Sequence, residues 1–130
     1  MYFEYNLKME NNVLVVGTGT IGEPLIGLLA RLKDDFGIDN LYFHKRTPLD
    51  YEIAKVNSLV DQGAQLVVNE DAVQHFRFFG HEPVTDFDTA LLKSRVVIDC
   101  TPAGNENKDE YYLGIDTYTK NKVFIAQGSE

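Results

Sequence analysis

The chain has 130 residues, 44% of them hydrophobic, and a formal net charge of -8 at pH 7. This length and composition predict one folded domain with a single core. The acidic balance excludes nucleic acid and anionic membrane surfaces as main partners, because both attract basic proteins. The single cysteine, Cys100, cannot form an internal disulfide, which favours a reducing cytoplasm and rules out a metal site of Cys/His type.

Residues 1–11 are predicted to be a polar leader, and residues 12–130 to form the domain. The leader lacks the basic region followed by an apolar region that a secretory signal has. No apolar run reaches the ~20 residues that a membrane-spanning helix needs. We therefore expect a cytoplasmic protein with no membrane partner.

Strands and helices are predicted to alternate along the chain. The apolar runs that predict strands cover residues 13–16, 41–43, 65–68, 96–98 and 123–126. Helical spacing of apolar residues, with capping and stop residues, predicts helices from Ile21 to Leu32, over 49–60, over 70–79, from Asp86 or Asp88 to Lys93, and over 106–118. Such alternation requires a parallel sheet with crossover helices. The expected fold is a single doubly wound α/β domain of the Rossmann type.

Three glycines, Gly17, Gly19 and Gly22, lie between the first predicted strand and the first predicted helix. They match G-x-G-x-x-G in the strand-to-helix context of dinucleotide sites. The first glycine permits a tight turn, the second lets a pyrophosphate approach the main chain, and the third lets helix and strand pack closely. Free amides at the start of the helix, around Thr20 to Gly22, would face the anion. The motif predicts dinucleotide binding, with a ligand-free glycine-rich turn as the alternative.

Lys45, Arg46 and Thr47 follow the second predicted strand. NAD-binding versions of the motif carry Asp or Glu about 20 residues after the glycines, whereas a basic residue there suits the 2′-phosphate of NADP. No carboxylate lies between Asp39 and Asp50. The segment therefore predicts a preference for NADP, with NAD still possible. A solvated basic pair is the alternative.

Thr101 and Pro102 follow the fourth predicted strand, in a turn that ends at Gly104. This places them at the carboxyl-end rim of the sheet, where ligands bind in open α/β folds. Thr101 and the nearby main chain are candidates to meet the ribose or the nicotinamide. The neighbouring Cys100 has no local basic partner to lower its pKa, so we expect a small buried apolar residue and not a nucleophile.

The three histidines have different expected roles. His44, beside Lys45, is either a ligand of the cofactor or merely exposed. His75 and His81 lie in an aromatic, loop-rich stretch and are expected to be surface or packing residues.

Taken together, the motifs resemble those of the archaeal-type, or type II, phosphorylating glyceraldehyde-3-phosphate dehydrogenases. The matching elements are G-T-I-G at 19–22, K-x-x-P at 45–48, D-x-T-P-x-G at 99–104 and Q-G-x-E at 127–130. They occur in the order of that family and at roughly its spacing, and they span nearly everything from Asn12 to the end.

The resemblance implies the nicotinamide-binding half of a glycolytic oxidoreductase. In such enzymes Thr20 and Ile21 present main-chain groups to the pyrophosphate, and residues 45–47 hold the adenosine 2′-phosphate. The Thr101-Pro102 and Gly128 loops border the nicotinamide side. The family's nucleophilic cysteine lies beyond the Q-G-x-E element, so no catalytic residue is predicted in these 130 residues. The expected partners are the missing catalytic domain and further copies of the chain in a homo-oligomer.

Two hypotheses from different classes stay open. The first is the cofactor domain of a glyceraldehyde-3-phosphate dehydrogenase, which is active only with its catalytic half. The second is a free-standing dinucleotide-binding sensor or interaction module that never catalyses. A third interpretation keeps the fold but replaces the dinucleotide with another adenosine-containing ligand.

Overall fold

The computed structural model describes residues 10–107, 112 and 122–126. The strands are β1 (Asn12–Val16), β2 (Asn40–His44), β3 (Gln65–Val68), β4 (Thr85–Asp86), β5 (Val96–Asp99) and β6 (Val123–Ala126). They form a six-stranded parallel sheet in the order β4-β3-β2-β1-β5-β6. The predicted doubly wound α/β fold is therefore confirmed.

Helices lie between successive strands. They are α1 (Gly22–Arg31), α2 (Ile53–Asp61), α3 (Val73–Phe78), α4 (Phe87–Lys93) and α5 (Gly104–Asn107). Short 3-10 turns at Asp50–Glu52 and Glu70–Ala72 precede α2 and α3. Of the two capping residues that the sequence offers for α4, Asp86 is the one used, since its carboxylate accepts the amide of Thr89 at 2.7 Å. None of the helices in the described part of the chain is long and apolar enough to cross a membrane.

The structure reproduces the predicted elements closely. Each predicted strand falls within an observed one, and β1 is buried at every position, as the unbroken apolar run indicates. Three differences remain. The short edge strand β4 was not predicted, and the helices predicted over 49–60 and 70–79 begin with the 3-10 turns, so that α2 and α3 start later. Near the end of the chain α5 begins at Gly104, two residues before the predicted start at Glu106. Apart from Tyr112, residues 108–118 of that predicted helix lie outside the described residues.

Two apolar clusters cover the two faces of the sheet. One contains Val13, Val15 and Ile26 and packs α1, α2 and α3 on the sheet. The other contains Leu14 and Val16 on the opposite face, under α4. Because neighbouring β1 residues point to opposite faces, the run at residues 13–16 supplies both clusters.

The strand order places a switch point at β1. Its neighbours are β2 on one side and β5 on the other, so the chain leaves β1 in one direction first and returns to its other side later. Val16 is in register with both His44 and Asp99, so the three strands end at the same level. In open α/β sheets the crevice above such a point is where ligands bind.

Candidate functional site

A cavity of about 590 Å³ opens at the carboxyl ends of β1, β2 and β5. Much of its wall comes from three segments: the first two residues of the glycine loop (residues 17–22), the whole basic segment (residues 45–47), and residues 101–103 of the Asp99 turn (residues 99–104). They come from well-separated parts of the sequence, and the sheet brings them together because each follows a strand that ends at this edge.

The glycine loop has a separate structural reason for each glycine. Gly17 has φ +103°, a conformation that side chains disfavour, and its amide donates to the carbonyl of His44 at 3.2 Å. A Cβ at Gly22 would lie 2.0 Å from the carbonyl oxygen of Gly17, so α1 approaches the loop as closely as the backbone permits. At Gly19 a Cβ would meet no atom within 4 Å. The space beside Gly19 is therefore open to a ligand.

The start of α1 presents unpaired amides on the surface. The amide of Glu23 donates to the carbonyl of Gly19 at 3.0 Å, which opens the helical pattern. Within the described residues, the amides of Thr20 and Ile21 have no backbone acceptor. Both residues are exposed, Ile21 to 49%. Such amides and the positive end of the helix dipole favour an anion.

Lys45, in the basic segment, is buried and forms an ion pair with Glu52. Glu52 also accepts from Lys55 at 3.1 Å, and Lys55 in turn donates to the carbonyl of Thr18 in the glycine loop at 3.0 Å. The hydrogen bond from Lys45 is the main reason that the pKa of Glu52 lies below its usual range, so the carboxylate stays charged. Glu52 is a site residue that the sequence analysis missed.

Arg46 and Thr47 differ from Lys45 because both are exposed at the mouth of the cavity. Across residues 10–107, 112 and 122–126, the Arg46 guanidinium has no ion-pair partner. The positive charge that the basic segment can offer to a ligand is therefore that of Arg46.

The Asp99 turn is organised by a buried carboxylate. Asp99, with 0% exposure, accepts from the amide of Thr101 at 2.8 Å and from its hydroxyl at 2.5 Å. Its other oxygen accepts from Asn107 at 2.9 Å and from the hydroxyl of Tyr112 at 2.6 Å. These bonds fix the main chain that carries Thr101 and Pro102 along the wall of the cavity.

His44 forms part of the wall at the end of β2. Its ring is buried, so the alternative of mere exposure is wrong. Its Nε2 lies 2.8 Å from the Asn69 side-chain oxygen, and its ring centroid lies 4.3 Å from that of Phe87. Burial is the main cause that lowers the pKa of His44, so the ring is neutral near pH 7. A neutral imidazole beside a phenyl ring makes this part of the wall suited to a flat, uncharged group.

The remaining candidates have the expected packing roles. Cys100 is half-buried against the core, and burial, followed by the charge of Asp99, raises the pKa of its thiol. His75 is exposed beside Phe79, and His81 is buried next to Phe76. The prediction of surface or packing roles for His75 and His81 is confirmed.

The structure thus brings together most of the predicted site residues. Those on the wall of the cavity are Gly17, Lys45, Arg46, Thr47, Thr101 and Pro102. Gly19, Thr20 and Ile21 are exposed on the rest of the glycine loop, and Gly22 is buried in it. Gly128 lies outside the described residues. Besides Glu52, the sequence analysis missed Asn69 and Phe87, which follow β3 and β4 and have no local motif to mark them.

The fold and the glycine loop define a Rossmann-like, doubly wound α/β domain. Among solved structures, the chain is similar to an imine reductase from Pseudomonas sp., with a TM-score of 0.53 and 17% sequence identity. The similarity covers 92% of this chain and 33% of that one, so the chain spans a third of the length of that protein. At this identity the similarity shows the fold alone.

Two structures of the universal stress protein from Archaeoglobus fulgidus, one of them in complex with dAMP, also overlap with the chain. They have 13% identity and TM-scores of 0.38 and 0.39, and the overlap covers 92% and 95% of this chain and 98% of each of theirs. These scores are too low to support an argument. Comparison with protein-family models and with curated protein sequences gives no match.

Proposed function

We propose that the chain is the nicotinamide dinucleotide-binding domain of an oxidoreductase and that it prefers NADP to NAD. The observation that carries the proposal is the glycine loop. Its Gly17 and Thr18 line a cavity of about 590 Å³, and a Cβ at its Gly19 would meet no atom within 4 Å. That volume lies within the roughly 300–1,000 Å³ of ordinary ligand pockets.

Each part of a dinucleotide has a chemically suitable place along the edge of the sheet. The pyrophosphate would lie against Gly19 and the amides of Thr20 and Ile21. The neutral ring of His44 and the ring of Phe87 suit the adenine, which is flat and stacks on aromatic groups. The Asp99 turn would then border the nicotinamide end.

The preference for NADP is supported by Arg46. Its guanidinium has no ion-pair partner in the part of the chain that the structure describes, and it lies at the mouth of the cavity beside the exposed Thr47. A planar guanidinium binds a phosphate through two parallel hydrogen bonds. NAD lacks the 2′-phosphate and gains nothing from this contact.

A direct test is calorimetric titration of the chain with NADP and, in parallel, with NAD. Gly19→Val should abolish binding of both, because its side chain would fill the space of the pyrophosphate. Circular dichroism and thermal unfolding should show that this variant still folds. Absence of heat with either dinucleotide from a folded wild-type sample would refute the proposal.

The preference for NADP has its own test. Arg46→Ala should lower the affinity for NADP about tenfold to hundredfold, because a hydrogen bond to a charged group contributes ~1.5–3 kcal/mol. Affinity for NAD should stay within about twofold of the wild-type value. Arg31→Ala, which removes an exposed arginine from the last turn of α1, is the matched control and should change neither affinity. Equal loss of NADP and NAD in Arg46→Ala would refute the phosphate contact.

The narrower proposal is the phosphorylating glyceraldehyde-3-phosphate dehydrogenase that the sequence motifs resemble. Its support is the order of the four motifs, and the structure adds a reason for one of them, since Asp99 holds the D-x-T-P-x-G turn. Catalysis would then need a catalytic domain as partner. The test is the reduction of NADP to NADPH by glyceraldehyde 3-phosphate in the presence of inorganic phosphate, catalysed by the longest natural chain that contains this sequence. Binding of NADP without turnover there would favour a free-standing binding module.

A further inference from the structure

Two lysines and two glutamates form a connected network between the basic segment and the glycine loop. Glu52 is its centre: one carboxylate oxygen pairs with Lys45, and the other accepts from Lys55 at 3.1 Å. Lys55 also lies 3.8 Å from a carboxylate oxygen of Glu23 and donates to the carbonyl of Thr18 at 3.0 Å. The network therefore connects the end of β2 with the start of α1.

The charges in this network cancel one another, since it contains two formal positive and two formal negative charges. The Lys45 side chain is 7% exposed and that of Glu52 is 19% exposed, so neither charge can be solvated well on its own. Separating such a pair leaves a poorly solvated charge, which is strongly unfavourable. The backbone of Lys45 is also held, because its amide donates to the carbonyl of Val67 at 3.2 Å.

From this arrangement we infer that Glu52 is a specificity-determining residue, which limits the preference for NADP by keeping Lys45 paired and away from the 2′-phosphate. The inference rests on the proposed dinucleotide binding. Arg46 then meets the phosphate alone, and NAD remains an acceptable ligand. Removal of the Glu52 charge releases Lys45 toward the mouth of the cavity and gives the phosphate a second cation.

The alternative is that Glu52 has only a structural role, in which it stabilises the packing of α2 against the glycine loop. If the role is purely structural, loss of the Glu52 contact would change the affinity for both dinucleotides alike, because they share the pyrophosphate and differ only in the 2′-phosphate. The ratio of the NADP and NAD dissociation constants therefore separates the two roles. Glu52→Gln is the suitable change, since it removes the charge and keeps the length of the side chain.

The experiment compares the wild type, Glu52→Gln and the double variant Glu52→Gln/Lys45→Met by calorimetric titration with NADP and NAD. Glu52→Gln should bind NADP about tenfold more tightly, with NAD within about twofold of the wild-type value. The double variant should return to wild-type affinity for both, because the gain requires Lys45. Glu82→Gln, which breaks an exposed ion pair with Arg77, is the control and should change nothing.

Several results would overturn the inference. If the ratio of the NADP and NAD dissociation constants in Glu52→Gln is unchanged from wild type, the charge of Glu52 does not restrain Lys45. An NADP affinity about tenfold below wild type in the double variant would show that Lys45 already contacts the phosphate. The double variant can overturn the inference even if Glu52→Gln does not fold, because it leaves no unpaired charge at either position. If neither the wild type nor any variant binds a dinucleotide, the proposed function fails and the inference with it.

Discussion

The close approach of α1 to the glycine loop gives a sharp prediction for Gly22→Ala. The new Cβ would lie 2.0 Å from the carbonyl oxygen of Gly17 and 2.7 Å from its carbonyl carbon. Both are main-chain atoms, so no side-chain rotation can relieve the contact. The loop is held by the bond from the Gly17 amide to His44, and the helix is held by the fully buried Ile26. Helix and loop must therefore separate by about 1 Å, at a cost at the upper end of the ~1–3 kcal/mol typical of overpacking.

The assay is thermal and urea-induced unfolding of Gly22→Ala beside Gly19→Ala. A loss of ~3 kcal/mol lowers Tm by about 10 °C in a domain of this size. Gly19→Ala makes the same chemical change where a Cβ would meet nothing within 4 Å, so its stability should stay within about 1 kcal/mol of wild type. If the two variants are equally stable, Gly22 is not needed for the close packing of α1 against the glycine loop.

Two further predictions concern the walls of the cavity. Asp99→Asn replaces one carboxylate oxygen with an amide nitrogen, which must face two of the four donors that the carboxylate accepts from. We therefore expect the free energy of unfolding, measured with urea, to fall by ~3–6 kcal/mol. The control is Asp34→Asn, at an exposed position, whose free energy of unfolding should stay within about 0.5 kcal/mol of wild type. A similarly small loss in Asp99→Asn would show that the Asp99 carboxylate does not hold the turn. Burial lowers the folded-state pKa of His44, so the unfolded chain binds this proton more readily and stability falls as pH drops below ~6.5. His44→Gln should therefore lose less stability than wild type between about pH 7.5 and about pH 5.5, and parallel losses would refute the assignment.

The fold could be predicted from the sequence because its signals are local. The apolar run of β1 is long enough for a strand buried on both faces, and the glycines after it mark the turn into α1. The later apolar runs likewise alternate with helical patterns, whereas β4, with two residues, is too short to give such a signal. The position of the glycine loop at the carboxyl-end edge of the sheet then follows because the loop comes directly after a strand of a parallel sheet.

The partners of the site residues could not be predicted in the same way. Asp99 is one letter of a turn motif, but its four donors include Tyr112, which is 13 residues away along the chain. Asn69 and Phe87 reach the cavity only because β3 and β4 end near β2. Such contacts depend on the packing of the whole sheet, so no short stretch of sequence encodes them.

The basic segment shows why a count of charges along the sequence can mislead. A search for a carboxylate between Asp39 and Asp50 finds none, which favours a strongly cationic end of β2. Glu52 lies just beyond that window, yet the 3-10 turn before α2 brings it back to Lys45. One of the two cations is thereby neutralised, and the charge offered to a ligand is halved without any acidic residue at the usual position. The proposed preference for NADP thus rests on the charge that remains unpaired in the described part of the folded chain, that of Arg46, and not on the number of basic residues in the segment.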